Sequence, residues 1–203
     1  MTAESNVQTL VHKIDKALGL SAELAARIGS IIVYTGNIEY QLERAIWVIE
    51  GIDPRGTRPK TADKSITQLI SILNDSSTEH VSDDAKNFLN VWAEAALAAY
   101  TFRNDIAHGV SIKMGETLVF NRNPTWNGEL RKREPRDFWC EPYIIEKIHH
   151  SLAVLLWIIS SIANETHQVD DLATGEINKS LNEARSILGE FAEPSYNPSF
   201  EKY

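Results

Sequence analysis

One short segment of the chain combines side chains that could perform acid–base chemistry on a phosphodiester. Arg103, Asn104 and His108 place a fixed positive charge, an amide and an imidazole within two helical turns, just before Gly109. An imidazole can accept or donate a proton near neutral pH, and a guanidinium can stabilise charge that develops on a phosphoryl group. This set requires no metal, and it suits cleavage of RNA through its own 2′-hydroxyl.

The apolar pattern around this segment predicts a long helix over residues 83–107, with Gly109 just past its end. Its predicted apolar stripe consists of Phe88, Leu89, Trp92, Ala96, Ala99, Arg103 and Ile106. A guanidinium on that stripe needs a partner or an aqueous crevice, because burying it unpaired is strongly unfavourable. The alternatives are a structural ion pair for Arg103 and a helix C-terminal cap for His108.

Helical geometry limits how these side chains can meet. Asn104 and His108 are four residues apart and face the same way. Arg103 and His108 are five residues apart and diverge by about 140° around the axis. They converge only if the Arg103 side chain curls round or the last turn unwinds at Gly109, and a second copy of the helix from another subunit would ease this geometry.

A second long helix is predicted over residues 22–50, with Ser21 as its N-cap and Gly51 at its end. Its stripe consists of Ile28, Ile31, Thr35, Ile38, Leu42, Ile46 and Ile49. Glu39 flanks the stripe, and Gly36 would let another backbone approach closely. A carboxylate there could pair with Arg103 across the bundle and orient it; the alternative is a half-exposed helix glutamate.

Further helices are predicted over residues 6–18, 62–74, 142–165 and 175–191. A small β-hairpin, with strands 110–114 and 117–121, precedes the last long helix, and residues 122–141 are predicted to be irregular. The fold class is therefore all-α, an up-and-down helical bundle with a hairpin insertion. Residues 1–193 form one domain in this interpretation, and residues 194–203 form a flexible tail.

A basic segment interleaved with aromatic residues follows the hairpin. It contains Arg131, Lys132, Arg133 and Arg136, near the aromatic residues Trp126, Phe138 and Trp139. Such a mixture suits single-stranded RNA, through phosphate contacts and base stacking. A solvated loop that packs its aromatic side chains on the bundle is the alternative, and the residue types alone slightly favour it.

Composition narrows the function classes. The net charge of −8 argues against broad electrostatic coating of nucleic acid, although it leaves room for a local basic patch. A single cysteine, Cys140, excludes an intrachain disulfide framework and a cysteine-rich zinc site. The polar N-terminus shows no signal-peptide core, and the longest apolar run is too short to span a bilayer. A cytoplasmic protein with no membrane contact is expected.

No metal or other cofactor is expected. The adjacent side chains of His149 and His150 diverge by about 100° on a helix, and His167 is remote, so a zinc site is disfavoured. The chain also lacks a phosphate-cradling glycine loop and a Gly-x-Ser-x-Gly elbow.

The stretch Arg103-Asn104-Asp105-Ile106-Ala107-His108 resembles the R-x4-6-H motif of the HEPN superfamily. The setting is similar to that family as well: a helical bundle over about residues 22–165, the motif at the end of a long helix, and the segment 36–43 on an earlier helix. The resemblance implies a metal-independent endoribonuclease, usually a homodimer whose two motifs line one cleft. It implies that Arg103 and His108 are the catalytic pair and that Asn104 supports them.

The same resemblance implies a toxin or antiviral defence effector, with an antitoxin or regulatory protein as a further partner. Neutral His108 would take the proton of a ribose 2′-hydroxyl, and Arg103 would stabilise the phosphorane-like transition state. Some family members have lost catalysis, so an inactive module that binds RNA or protein is the second hypothesis. A plain helical scaffold in which Arg103 forms a buried ion pair is the third.

Overall fold

A computed structural model describes residues 3–122, 135–194 and 196–198, without the side chains of residues 3–6 and 77–80. Within this part, helices and strands follow one another as α1 (Ala3–Leu18), α2 (Ala22–Ile49), α3 (Ile66–His80), α4 (Asp83–His108), β1 (Val110–Met114), β2 (Thr117–Arg122), β3 (Arg136–Trp139), α5 (Pro142–Ala163), α6 (Val169–Leu172) and α7 (Gly175–Ala192). The described chain is mostly helical with one small antiparallel sheet, which confirms the mainly helical fold class.

The helix α2 follows its predicted pattern. Ser21 caps α2, since its hydroxyl accepts a hydrogen bond from the backbone N–H of Leu24 at 3.1 Å. The predicted stripe is buried at Ile31, Thr35 and Ile38, and onward through Leu42 and Ile46. α2 packs along α5 with the two N-termini at the same end. α5 in turn receives a hydrogen bond from α4, between the Trp92 indole N–H and the carbonyl of Leu155.

α5 is long and apolar enough to cross a membrane by length and composition. Eleven of its 22 residues are nevertheless buried within the fold, and its main neighbours are α2 and α7. Among the described helices it therefore behaves as the central core helix of the bundle.

The bounds of one helix and the number of strands differ from the prediction. α3 spans Ile66–His80 rather than residues 62–74, and it begins at Ile66 because Ser65 and Gln68 form a capping box in which each side chain bonds the backbone N–H of the other. The sheet has three strands rather than two, because Arg136–Trp139 pairs with β2 inside the segment predicted to be irregular. The fold is thus a helical bundle whose inserted element is a small sheet in the order β1-β2-β3.

The buried face of α4 also departs from its predicted stripe near the C-terminus. Phe102 and Asp105 are fully buried, whereas Arg103 and Ile106 are only partly buried. Each step of three residues turns the buried face by about 60°, and the buried positions here advance in threes from Ala96. The sheet packs against this rotated face, with the Phe102 and Phe138 rings 5.2 Å apart between centroids.

Part of the predicted flexible tail contacts the domain. The Tyr196 ring lies 5.0 Å from that of Phe191, and its hydroxyl lies 3.0 Å from the hydroxyl of Tyr143. Residues 199–203 lie outside the described residues.

Gly109 ends α4 with an ordinary extended backbone, φ −81° and ψ 153°, rather than the left-handed conformation common after helices. Its missing side chain is what the packing requires. A Cβ at this position would overlap the carbonyl oxygen of Asp105 and lie 3.1 Å from the Cβ of Phe120. β2 can therefore lie directly on the last turn of α4.

Replacing Gly109 with alanine should lower the free energy of unfolding by about 1–3 kcal/mol, because the backbone and Phe120 must move apart. Gly189 in α7 is the matched control, since a Cβ there meets nothing within 4 Å. Gly189→Ala should raise stability by roughly 0.5–1 kcal/mol through helix propensity. Urea denaturation of both variants measures these changes, and equal responses would contradict the packing explanation.

Candidate functional site

The motif predicted to carry chemistry lies on the last two turns of α4. The helix stays regular through His108, because the N–H of Gly109 still bonds the carbonyl of Asp105 at 2.8 Å. The last turn therefore does not unwind. Instead, Nη1 of Arg103 donates a hydrogen bond to Oδ1 of Asn104 at 3.2 Å. This bond turns the guanidinium toward the side of the helix that also carries His108.

Four side chains make up what we term the outward patch: Arg103, Asn104, Ala107 and His108. Measured from Arg103, the others point about 100°, 40° and 140° further round the axis, so Ala107 and Asn104 lie between the charged and the imidazole groups. Arg103 and Asn104 are partly buried, and Ala107 and His108 are exposed. The methyl group of Ala107 leaves the space between the two larger side chains open to solvent.

Tyr100 lies one helical turn before Arg103 and was not predicted as part of the site. Its ring is 6% exposed, and its hydroxyl donates a hydrogen bond to the carbonyl of Thr35 at 2.5 Å. Burial raises the pKa of Tyr100, the charge of Glu39 raises it further, and the charge of Arg103 opposes the rise. Glu39 and Arg103 thus act on the same hydroxyl from α2 and α4.

The predicted ion pair between Glu39 and Arg103 is not formed among the described residues. Tyr100 bridges α2 and α4 at this level, and the guanidinium bonds Asn104 instead. A supporting role for Glu39 therefore stays a prediction, with an electrostatic rather than a contact basis. The position of Tyr100, three residues before Arg103, was the sequence signal that could have placed it here.

The inward side of the same helical turn carries a buried ionic cluster, which we term the Asp105 clamp: Asp105, Arg122 and Arg136. The Asp105 carboxylate accepts a hydrogen bond from Nε of Arg136 at 2.5 Å and from Nη1 of Arg122 at 3.3 Å. Arg136 also donates to the carbonyl of Ala192, the last residue of α7. Burial raises the pKa of the Asp105 carboxyl, and the hydrogen bonds and charges of the two arginines oppose that rise.

The Asp105 clamp includes Arg136, one of the predicted RNA-binding residues. The Arg136 side chain is only 11% exposed, and its guanidinium is occupied by Asp105 and Ala192. It therefore does not lie free on the surface, and RNA contact by Arg136 stays a prediction. Arg131, Lys132, Arg133 and Trp126 lie outside the described residues, while Phe138 is buried and Trp139 partly buried on the sheet.

A concavity of the described surface lies away from the motif. A cavity of about 380 Å³ sits where the N-terminal ends of α2 and α5 meet the sheet, with Arg27, Thr117, Cys140 and Glu141 in its wall. Three further cavities lie between α5 and α7 and near α6, and the outward patch lines none of these four. An aqueous crevice at Arg103, one of the two environments expected for its guanidinium, is thus not among these four cavities.

Metal coordination has little support in the described part of the chain. No three histidine, cysteine, aspartate or glutamate side chains there converge on one point. His149 stacks on Tyr34 with ring centroids 4.9 Å apart, and His167 lies against Trp157. The motif itself supplies an imidazole, an amide and a guanidinium.

Comparisons with known proteins add no relative. No protein-family model matches the chain, and neither a curated protein nor a solved structure is significantly similar to it.

Cys140 should react slowly with thiol reagents in the folded protein. It is 3% exposed, and burial raises the pKa of its thiol to about 12. At pH 8 such a thiol is roughly 1000-fold less ionised than a free cysteine, and the thiolate is the reactive form. Absorbance assays with an aromatic disulfide should show slow labelling in buffer and rapid labelling in denaturant. Labelling of native protein at the free-thiol rate would contradict the buried placement.

Proposed function

We propose that this chain is a metal-independent endoribonuclease that cleaves RNA by attack of the ribose 2′-hydroxyl on the adjacent phosphate. The observation that carries the proposal is the hydrogen bond from Arg103 to Asn104, which brings the guanidinium to the exposed side of α4 where His108 lies. The residue types match the resemblance to HEPN proteins, and the regular helix end holds them in one patch.

Each group of the outward patch has a distinct role in this proposal. Neutral His108 removes the proton of the 2′-hydroxyl, which needs an exposed imidazole beside the substrate. Arg103 donates to the nonbridging phosphate oxygens as charge builds on them. Asn104 holds Arg103 by accepting its hydrogen bond. The products are a 2′,3′-cyclic phosphate and a 5′-hydroxyl, and DNA is inert because it lacks the attacking group.

Protonation of the leaving 5′-oxygen requires a second acid, and a homodimer would supply it as the His108 of the partner subunit. Exposed apolar side chains on α2 and α4 are available for such an interface: Ile32 at 37% exposure, Val33 at 58%, Tyr40 at 61% and Leu97 at 42%. A two-fold contact that places the two ends of α4 side by side would bring two copies of the outward patch together.

The proposal extends to a cytoplasmic toxin or antiviral effector, kept in check by an antitoxin or regulatory protein. RNA cleavage in the cytoplasm harms its own cell unless it is restrained, so a partner that covers the outward patch fits this activity. Arg131, Lys132 and Arg133 remain the proposed RNA-binding residues, since a chain of net charge −8 needs a local basic surface to hold a phosphate backbone.

A second candidate function is a catalytically inactive module that binds a protein or RNA. The exposed apolar side chains of α2 and α4 favour it, because such a surface serves a binding partner whether or not the motif is active. RNA bound without cleavage would select this function over the nuclease.

Purified protein should cleave single-stranded RNA in the presence of EDTA, and His108→Ala should lower the rate by about 10²–10⁴, the usual contribution of a general base. Arg103→Ala should lower it by roughly 10²–10³, because a charge-stabilising donor is lost. His150→Ala is the matched control, since it removes another exposed histidine, one that lies on α5. Gel assays with end-labelled RNA give the rates, and mass spectrometry identifies the cyclic phosphate.

Two results would overturn the nuclease. One is cleavage that His108→Ala leaves unchanged, which would indicate a contaminating enzyme. The other is an RNA that stays intact at high concentration of a wild-type protein that circular dichroism shows to be folded.

Ala107→Trp should lower kcat/KM by at least about 10-fold, because an indole would fill the open space between Arg103 and His108 that the phosphate needs. Ala153→Trp in α5 is the control for a large side chain on an exposed helix position. The two variants are compared by RNA cleavage and by thermal unfolding. Equal activity in both would mean that the substrate does not lie across Ala107.

A further inference from the structure

We infer that Asp105 is the positioning residue of the proposed site, because its carboxylate ties the last turn of α4 to the sheet and thereby aims Asn104 and His108 outward together. The inference rests on the proposed nuclease for its catalytic readout, whereas its structural readout stands without it. Asp105 lies between these two residues in sequence and points about 100° from Asn104 and about 60° from His108 round the helix axis, yet it is fully buried whereas His108 is exposed.

The Asp105 carboxylate joins several elements of the fold. Arg122 ends β2 and Arg136 begins β3, and both donate to Asp105 of α4. Arg136 reaches on to the carbonyl of Ala192, so one carboxylate joins α4 and two strands and, through Arg136, the end of α7. The rotation of α4 about its own axis is fixed at this point, since a carboxylate with 0% exposure cannot turn away from two bonded guanidinium groups.

The negative charge of Asp105 is required because of the two arginines that it contacts. Arg122 and Arg136 are directly opposite each other in the β2–β3 register, and their side chains are only 16% and 11% exposed. Like charges at directly opposite positions repel, and little solvent is present here to screen them. The negative charge of Asp105 balances this repulsion, so a neutral side chain would separate the two strand ends even if its size were unchanged.

The Asp105 clamp and the outward patch share the last turn of α4. The main-chain carbonyl of Asp105 accepts the N–H of Gly109, which closes the turn that carries His108. The side chain of Asp105 therefore holds the buried flank of the same turn that presents His108 to solvent, three residues further on and about 60° round the axis. Once the carboxylate is released, this turn is free to fray, and the bond that brings Arg103 toward His108 loses its support.

Glu43 offers a matched control for loss of a buried carboxylate. It is 6% exposed, receives hydrogen bonds from Arg58 and Thr61, and holds the loop between α2 and α3. Its neutralisation removes a buried carboxylate from another part of the fold, where the arginine partner is largely exposed. A merely structural role for Asp105 would make the two variants behave alike.

The test compares Asp105→Asn with Glu43→Gln in the full chain, by NMR of the histidine side chains and by amide hydrogen exchange. The His108 signal, assigned with His108→Ala, should shift and broaden in Asp105→Asn and stay in place in Glu43→Gln. Amides of residues 106–109 should exchange at least about 10-fold faster in Asp105→Asn alone, because their local opening is released from the sheet. An unchanged His108 signal with unchanged exchange would overturn the inference.

Cleavage kinetics supply the functional arm. Asp105→Asn should lower kcat by about 10- to 100-fold with KM within about twofold, because the catalytic groups are misaligned while the binding surface remains. Glu43→Gln should leave both constants near those of the wild type. A rise in KM with kcat unchanged would count against a positioning role for Asp105. Equal losses of kcat in Asp105→Asn and Glu43→Gln would count against it as well.

A second variant and a readout that does not depend on RNA cleavage complete the test. Arg122→Met removes one arm of the clamp at a partly exposed position, so it serves if Asp105→Asn fails to fold, with the same shift of His108 expected and an unshifted signal contradicting the inference. If the wild-type protein cleaves no RNA, the nuclease proposal fails, and the NMR and exchange measurements still decide whether Asp105 positions His108.

Discussion

The contact on which the arrangement depends is the buried pairing of Asp105 with Arg122 and Arg136. It lies where α4, the sheet and the end of α7 meet, and each partner comes from a different element. Losing one partner of such a buried ionic group typically costs about 3–5 kcal/mol, because the remaining charges are left uncompensated. That is a large share of the roughly 5–15 kcal/mol by which a domain of this kind is stable. The motif is therefore placed by the same contact that joins the sheet to the bundle.

The helices could be predicted because their determinants are local. Ser21 and the stripe from Ile31 to Ile46 define α2 within one stretch of chain, and these residues are buried as their spacing indicates. The start of α3 was missed although its signal was present, since Ser65 and Gln68 form a capping box three residues apart. The strand β3 has only four residues, and two of them are the charged Arg136 and Asp137. It is a strand because it pairs with β2, and its own residues do not indicate that pairing.

The site was predictable in its residue types and not in its contacts. Arg103, Asn104 and His108 lie at one helix end, and the side chain of Arg103 bonds that of Asn104. The convergence of Arg103 with His108 stays a prediction. The Asp105 clamp could not be read from the sequence, because its partners lie 17 and 31 residues further along the chain. For the same reason Arg136 was interpreted as a surface residue, although its guanidinium is nearly enclosed.

A uridine–vanadate complex tests the outward patch most directly, because its trigonal oxygens mimic the phosphorane reached during 2′-hydroxyl attack. When the complex is titrated into isotope-labelled wild-type protein, the NMR signals of Arg103, Asn104 and His108 should shift. His108→Ala should bind the complex at least about 10-fold more weakly. Perturbations confined to the cavity near Arg27 and Glu141, or binding that His108→Ala leaves unchanged, would contradict the assignment of the site to the end of α4.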